Sequence, residues 1–565
     1  MRSPFLGPGY VSQSTNVADQ ECINLYPEIV DTHTGKQVGS LLMCPGLDLL
    51  GTAGAGPIRG MVANAAGSIM YLVSGTAVYS INAAYVATSI GTVAGGSLPV
   101  LFMKNNRQVV LLDTIHAYLL PPGQPLTGGT VGAAGTGYVV GDIITLIAND
   151  GVTVGTAQLT VATLTGSGVA TFTISASGSF STAPTGFTQA STSGSGSGFT
   201  LTAPTFGATA IYQIPLPFSG VPLFCAYQDN FGLLIENGTE KLWQSLAGDL
   251  SIWPPLNFAS ADAQPGYLFS IASLNDQIWA LKAGHTEIWV NAGLNGFAFQ
   301  RLAGTLIEHG ILALYSLTTV GDSLACLSSD EDGNGVVVLS NGYTWTRIST
   351  HALEYAISQY PFPGLAVGYS YQQNGHLFYA LFFPGDTNAF WVYDATASAQ
   401  LKIPCWHQRC AFSNGAFGRH WSNCFVNFNG RLTVGDYRNG NLYAFNVNTQ
   451  TDNGTQRKWV RSWRAFQQPI DKPVRFPPLF IDMETGINVP DGTDPQVVLE
   501  WSDDGGHNWS DQYFRPAGKP GQTAHRVKFT RIGSTRRATG LDRIFRLSST
   551  DRFKVSLIGA VLGDE

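Results

Sequence analysis

Charge is scarce in this sequence. Asp, Glu, Lys and Arg together make up 12% of its 565 residues, against roughly a quarter in ordinary soluble proteins, so much of the surface is expected to be covered by neighbours or by copies of the same chain. Long apolar runs are absent: nothing approaches the roughly 20 residues that a bilayer-spanning helix needs. Residues Met1 to Tyr10 lack the charged-then-apolar order of a secretory signal, and synthesis in a cytoplasm is expected. The cysteines are Cys22, Cys44, Cys225, Cys326, Cys405, Cys410 and Cys424. Their number is odd and none form a closely spaced pair, which points to reduced, buried thiols. Cys405 and Cys410 enclose Trp406 and His407 as half of a zinc site would, but the other half is missing, so no metal is expected. No P-loop, dinucleotide fingerprint or nucleophile elbow occurs, which leaves no carrier for those chemistries and no expected cofactor.

What charge there is falls unevenly. Residues 1–455 hold 14 Lys and Arg against 25 Asp and Glu, a net of −11, whereas residues 456–565 hold 17 against 13, a net of +4. An acidic body argues against wrapping nucleic acid, because that needs clustered Lys and Arg on phosphates.

Runs rich in Val, Ile, Tyr, Phe and Trp separated by Gly and Asn turns recur along the chain, and extended 3.6-residue periodicity is missing; the fold class is all-β. One helix is expected over residues 351–360, with Ser349 or Thr350 as N-cap and Pro361 as stop. One unit repeats: a Gly or Asn turn, an aromatic or β-branched strand, a second Gly-containing turn and another apolar strand. It is legible at Gly67-Ser68-Ile69-Met70-Tyr71, Asn275 with Trp279, Asp322 with Leu327, Gly375 with Tyr379, and Gly430 with Thr433. The last four lie roughly fifty residues apart, the length of a four-stranded propeller blade. Weaker units near Val109 to Asp113 and Gly232 to Glu236 bring the count to six or seven, with six favoured.

Residues 122–208 break the rhythm with Gly, Ser, Thr and Ala, yet Val139-Val140, Ile143-Ile144 and Phe172 to Ile174 are apolar runs that a flexible linker lacks. They are expected to form a small β module inserted between two blades. After Trp463, the prolines Pro469, Pro473, Pro477 and Pro478 mark a connector to a C-terminal β-sandwich. The expected division is an N-terminal arm over 1–56 that partly completes the propeller, propeller over 57–121 and 209–463, the insert over 122–208, and the sandwich over 464–565.

Several pieces in collinear order carry a resemblance: Asn24-Leu25-Tyr26-Pro27-Glu28, Pro45-Gly46-Leu47, Arg59-Gly60-Met61, Thr286-Glu287-Ile288-Trp289, Glu308-His309-Gly310, His376-Leu377-Phe378-Tyr379, Gly435-Asp436-Tyr437-Arg438-Asn439-Gly440 and Thr451-Asp452-Asn453-Gly454. In these the chain resembles the packaged-DNA stabilisation proteins, tail hub or nozzle subunits of short-tailed phages. The resemblance implies a structural virion protein: a ring of six subunits under the portal and adaptor, closing the DNA channel after packaging and carrying fibres or tailspikes. It implies no catalytic residues and no sequence-specific DNA contact. The insert is where the chain departs from that pattern.

Two motifs offer rival readings. Ser502, Asp504, Gly506 and Trp509 fit the pattern S-x-D-x-G-x-x-W, an Asp-box known from sialidases and other propellers. In it the Asp caps a tight hairpin and the Trp packs beneath, which is turn chemistry. A carbohydrate-binding or glycan-cleaving propeller is the alternative function, and a cellular propeller scaffold a third. Asp330-Glu331-Asp332-Gly333-Asn334-Gly335 begins like a calcium loop, but Asn341 stands where the twelfth-position Glu belongs, which favours a hairpin turn. The carboxylate pairs Asp503–Asp504 and Asp19–Glu21 are expected in polar surroundings that would not raise a pKa for general acid work. Finally, Arg526, Lys528, Arg531, Arg536, Arg537, Arg543 and Arg546 concentrate positive charge. They form either a solvated sheet face or a dock for an acidic neighbour, the first group of five being the docking candidates.

Overall fold

The computed structural model describes residues 5–15, 18–30, 39–150, 155–384, 389–465, 475–535 and 543–563. Among these, seven four-stranded antiparallel blades follow one another, over 58–92, 101–123 with Ala210–Gln213, 222–260, 268–301, 318–347, 367–408, and 422–446 with Gly46–Thr52; the first five are separate sheets, and the last two continue into sheets of nine and six strands. Their innermost strands touch in sequence order, except that the turn Leu314–Ser316 bridges the fourth and fifth blades, and Ser422–Phe428 of the seventh lies against Ile58–Ala63 of the first, which closes a propeller. The seventh blade takes its outer strand from the other end of the chain, Gly46–Thr52 pairing antiparallel with Asn441–Asn446. That pairing fastens the ring, since the edge it covers would otherwise stand open.

The blade count is therefore seven where the sequence favours six, because both weak units are blades. Val109–Leu112 is the second strand of blade two and Phe231–Glu236 of blade three. Blade two is hard to read because its fourth strand lies beyond the insert. Blade three turns on Asp229-Asn230, without the Gly that marks most of the others. The repeated turns have a physical origin: Asp229-Asn230, Asn275-Asp276, Asn374-Gly375 and Asn429-Gly430 all carry positive φ at both residues. Two-residue hairpins with that geometry match strand twist, and Asn, Asp and Gly tolerate it.

Apolar side chains fill each seam between blades. Tyr71, Val73 and Leu111 lie between blades one and two, and Trp279, Cys326 and Val338 between four and five. Phe378, Phe390, Val434 and Tyr443 fill the seam between six and seven. Burying one such side chain stabilises by about 1.5–3 kcal/mol, so the seams together with the closing strand hold the ring.

The insert does not sit between two blades; it replaces the link between the third and fourth strands of blade two. Its six strands, in the order Leu126–Thr136, Ser197–Phe206, Gly186–Thr192, Ile143–Ala148, Thr156–Thr165, Gly168–Ala176, form one curled sheet. It has its own core of Ile144, Leu146, Leu159, Phe180, Phe187 and Phe199, all at most 1% exposed. A hydroxyl hydrogen bond from Thr156 to the Asp249 carboxylate ties it to blade three.

The sandwich uses both ends of the chain. One sheet runs Cys22–Ile23, Trp459–Arg464, Ile544–Ser549, Gln496–Ser502, Tyr513–Pro516, and is continuous with blade six through parallel pairing of Ile23 with Gln408. The other runs Leu25–Ile29, Gly39–Met43, Ser556–Leu562, Leu479–Met483, Val527–Phe529. Between them Trp459, Trp463, Phe529, Phe545 and Leu557 are fully buried. The boundary expected after Trp463 thus falls within a sandwich strand, because Trp459 and Trp463, which read as blade aromatics, point into the sandwich core. Pro469 and Pro473 lie outside the described residues.

The expected helix is present as α1, His351–Ser358, with the Leu353 N–H donating to the Thr350 hydroxyl at 3.3 Å. A second, α2, Ala395–Leu401, is capped by Asp394, which accepts from the Ala397 N–H at 2.9 Å, and ends on left-handed Lys402. At seven residues it is too short to carry a periodicity signal.

Candidate functional site

The C-terminal basic set divides into two kinds. Arg526 and Lys528 flank the Phe480 ring on the neighbouring strand, at 4.0 and 4.7 Å, and Arg526 and Arg531 are exposed. Arg543 is buried instead: it grips both oxygens of Asp503 at 2.6 Å and stacks on Phe476 at 4.3 Å. Arg546 pairs with Glu500 at 3.1 Å and covers Trp509 at 3.7 Å. Arg536 and Arg537 lie outside the described residues. The outward-facing candidates are therefore Arg526, Lys528 and Arg531, on one rim of the sandwich.

Beside Arg543 and Arg546 lies the Asp-box turn. Ser502 Oγ donates to Asp504 Oδ1 at 2.7 Å and accepts from the Gly506 N–H at 2.8 Å. The Asn508 N–H donates to Asp504 Oδ1 at 2.8 Å and its side-chain amide to Oδ2 at 2.6 Å. These bonds hold the Asp504 carboxyl down at about 2. Both oxygens of this carboxylate are engaged in closing its own turn, with Trp509 serving as a platform for Arg546. The acidic turn of blade five repeats the device: Asp330 accepts from the Asn334 N–H at 2.7 Å and from its amide at 3.1 Å. No group of three or more His, Cys, Asp or Glu able to hold a metal occurs among the described residues.

Asp19 and Glu21 depart from the expected polar surroundings. Burial, opposed by Arg546 and Arg464, raises the Asp19 carboxyl. Burial, reinforced by the Asp19 charge, lifts Glu21 to about 7. The reason is the N-terminal strand's place inside the sandwich sheet, which local sequence does not reveal. Glu21 lines a groove of about 310 Å³ between the residues around Tyr10 and the face of α1 that carries Leu353 and Ala356.

Around the propeller axis, a cavity of about 250 Å³ is lined by Arg59, Phe102, Phe224, Tyr369 and Phe425 from inner strands and by Tyr315 from the turn Leu314–Ser316. Arg59 is held there by the carbonyls of Leu98 at 2.8 Å and Gly75 at 3.0 Å.

His376 joins three parts of the chain. Its Nδ1 meets Asp394 Oδ2 at 2.7 Å and its Nε2 meets Glu28 Oε2 at 2.8 Å. It lies on the second strand of blade six, Asp394 caps α2, and Glu28 belongs to the sandwich. Its signal in the sequence is a lone His at the start of an aromatic strand, which says nothing of two carboxylates from distant segments.

A seven-bladed propeller braced by a sandwich built from both chain ends, with its polar side chains spent on turns and seams, defines a multi-module structural scaffold. The comparisons with known proteins agree. The family described as "Bacteriophage P22 Gp10, beta-propeller" matches residues 1–175 and 221–450, and "Bacteriophage P22 Gp10, beta-sandwich" matches residues 472–562. The chain belongs to this family of structural phage tail proteins. No curated protein matches it. Solved structures that align with it include a computationally designed Ika8 protein, at 8% identity over 70% of this chain and 99% of that one, with TM-score 0.32. The N-terminal domain of Nup159 aligns at 8% identity over 76% and 99%, with TM-score 0.34. PorZ of Porphyromonas gingivalis aligns at 10% identity over 83% and 46%, with TM-score 0.30. Superpositions this loose carry no functional argument.

Proposed function

We propose that the chain is a tail hub, or nozzle, subunit: a non-enzymatic component of a homo-oligomeric ring, six-membered as the family resemblance implies, beneath the portal and adaptor proteins. In the virion tail it closes the exit channel for packaged DNA and carries fibres or tailspikes, after assembly in the host cytoplasm. The observation that carries this reading is membership of a phage tail family, together with a propeller axis crowded by Arg59 and aromatic side chains around a cavity of about 250 Å³. DNA passing such a protein runs between copies, through a lumen they enclose. An acidic chain suits that wall, since six copies at −7 each carry −42 and like charge keeps a duplex from adhering. The exposed Arg526 and Arg531, with the half-buried Lys528 between them in the chain, then face protein, docking on the acidic body of the next copy or on the adaptor.

Mass photometry of the purified chain, alone and with its adaptor, tests this. A discrete multiple of 60.3 kDa is expected, and Arg526→Glu with Arg531→Glu should reduce it to the single chain without unfolding it. A protein that stays monomeric with its adaptor and instead binds duplex DNA with a steep salt dependence would refute the reading. Binding on a glycan array would favour the carbohydrate alternative.

A further inference from the structure

Where the propeller meets the sandwich, the chain buries two guanidinium groups with too few acceptors. Arg409 is 1% exposed. Its guanidinium lies over Tyr371, Phe378 and Phe445 at 5.4, 5.3 and 5.7 Å, its Nε reaches His407 Nε2 at 3.4 Å, and its terminal nitrogens make no well-formed hydrogen bond, with only the Tyr371 phenol and the Cys44 thiol beside them. Arg457, also 1% exposed, donates from one terminal nitrogen to the Cys44 carbonyl at 2.8 Å, while the other is unpartnered. His420 is fully buried; its Nδ1 meets Ser422 Oγ at 2.8 Å, and its Nε2 is unpartnered.

These groups converge on one place. The His420 ring is 6.1 Å from Phe445, the ring that Tyr371 and the Arg409 guanidinium also meet, and Arg457 reaches the backbone of Cys44, which packs in the same cluster as Tyr371, Phe378 and Phe445. The charges do not balance within the cluster. Asp452 is 3.3 Å from Arg457 Nε, and burial lifts its carboxyl to about 6. Burial keeps the Cys44 thiol and the Tyr371 phenol protonated, above their ordinary values. Arg419 lies between Phe382 and Tyr437, and Arg438 is taken up by Asp436. A guanidinium cannot shed its proton, and aromatic faces stabilise its charge without accepting its N–H groups as an anion does.

We propose that this seam binds a small monovalent anion of the halide class, held by Arg409 and Arg457 with the His420 edge. The position gives the anion a structural task. Cys44 is where the chain leaves the sandwich for the closing strand of blade seven. Asp452 and Arg457 are where it returns, so the anion pins the joint between the two modules.

Two measurements on the full chain decide it. In crystals grown from sodium bromide, an anomalous peak is expected within hydrogen-bonding distance of the Arg409 terminal nitrogens. In solution, the unfolding midpoint is expected to rise saturably as chloride replaces gluconate at constant ionic strength. Arg409→Met, which keeps the bulk and removes the charge, should abolish that rise. Should the variant fail to fold, the bromide map of the native protein still decides. A map with water alone at Arg409, or identical midpoints in the two salts, would overturn the proposal.

Discussion

Replacing His376 by Leu tests how the sandwich is fastened to the propeller. Its imidazole is 5% exposed, Asp394 is fully buried, and Glu28 is 42% exposed. Burial alone pulls the imidazole pKa down, but the hydrogen bonds and charges of Asp394 and Glu28 outweigh it, and the net direction is upward from 6.5. A folded-state pKa above the unfolded one means that stability is fully present below pH 6.5 and is lost as pH rises through the folded value. Breaking a buried pair by removing one partner costs about 3–5 kcal/mol. The low end applies here, because Asp394 keeps the Ala397 N–H, and the half-exposed Glu28 arm adds at most about 1 kcal/mol. His376→Leu is therefore expected to lose about 3 kcal/mol at pH 6 and less at pH 9, where the native imidazole is neutral and holds the pair less strongly. The assay is urea unfolding of both proteins across that range, following Trp fluorescence. Adding Asp394→Asn should restore part of the loss, since it removes the orphaned charge. A variant whose stability falls by the same amount at both ends of the range would refute the charged clamp and leave only a packing role.

The insert should be dispensable for the ring: exchanging residues 125–206 for a short Gly/Ser linker is expected to leave the propeller's unfolding cooperative, because loop closure grows only slowly with length. Calorimetry in which the remainder melts without a cooperative peak would show that the module belongs to the core. For the thiols, Ellman's reagent should find few reactive groups in native protein, Cys424 first, and seven after denaturation; six are buried and Cys424 is half-buried. A disulfide-linked peptide in freshly alkylated protein would contradict this. Gly435→Ala should weaken the seam between blades seven and one by about 1–3 kcal/mol, because its added methyl would stand 2.5 Å from the Ile58 side chain. An unchanged unfolding midpoint would mean that this seam is looser than the packing requires.

How much of the fold can be read from sequence depends on whether a feature is local. Type I′ hairpins need positive φ at adjacent residues, so they write Asn, Asp and Gly into the chain at blades three, four, six and seven, and the roughly fifty-residue rhythm remains readable. The strand at Gly46–Thr52 carries no mark of its partner, Asn441–Asn446, nearly four hundred residues away in the chain. The same holds for Leu25–Ile29 and Gly39–Met43, whose alternation fits a propeller edge as well as the sandwich sheet they join. Local grammar gives the blade; which blade borrows which strand is decided by closure, which no window of sequence contains.

The candidate sites follow the same division. The Asp504 turn was legible because each of its bonds lies within four residues, and the acidic turn at Asp330 for the same reason. The seven C-terminal basic residues look alike in sequence, yet Arg543 and Arg546 are committed to Asp503 and Glu500, carboxylates about forty residues earlier on a neighbouring strand, while Arg526 and Arg531 remain outside. Position in the sheet, not residue type, separates mortar from docking surface. Arg409 is the limiting case, since Trp406-His407-Gln408-Arg409-Cys410 reads as an ordinary edge strand with alternating polar residues. Only the arrival of the chain's own N-terminal segment over that strand turns its outer face into an interior, and strands the guanidinium among aromatic rings.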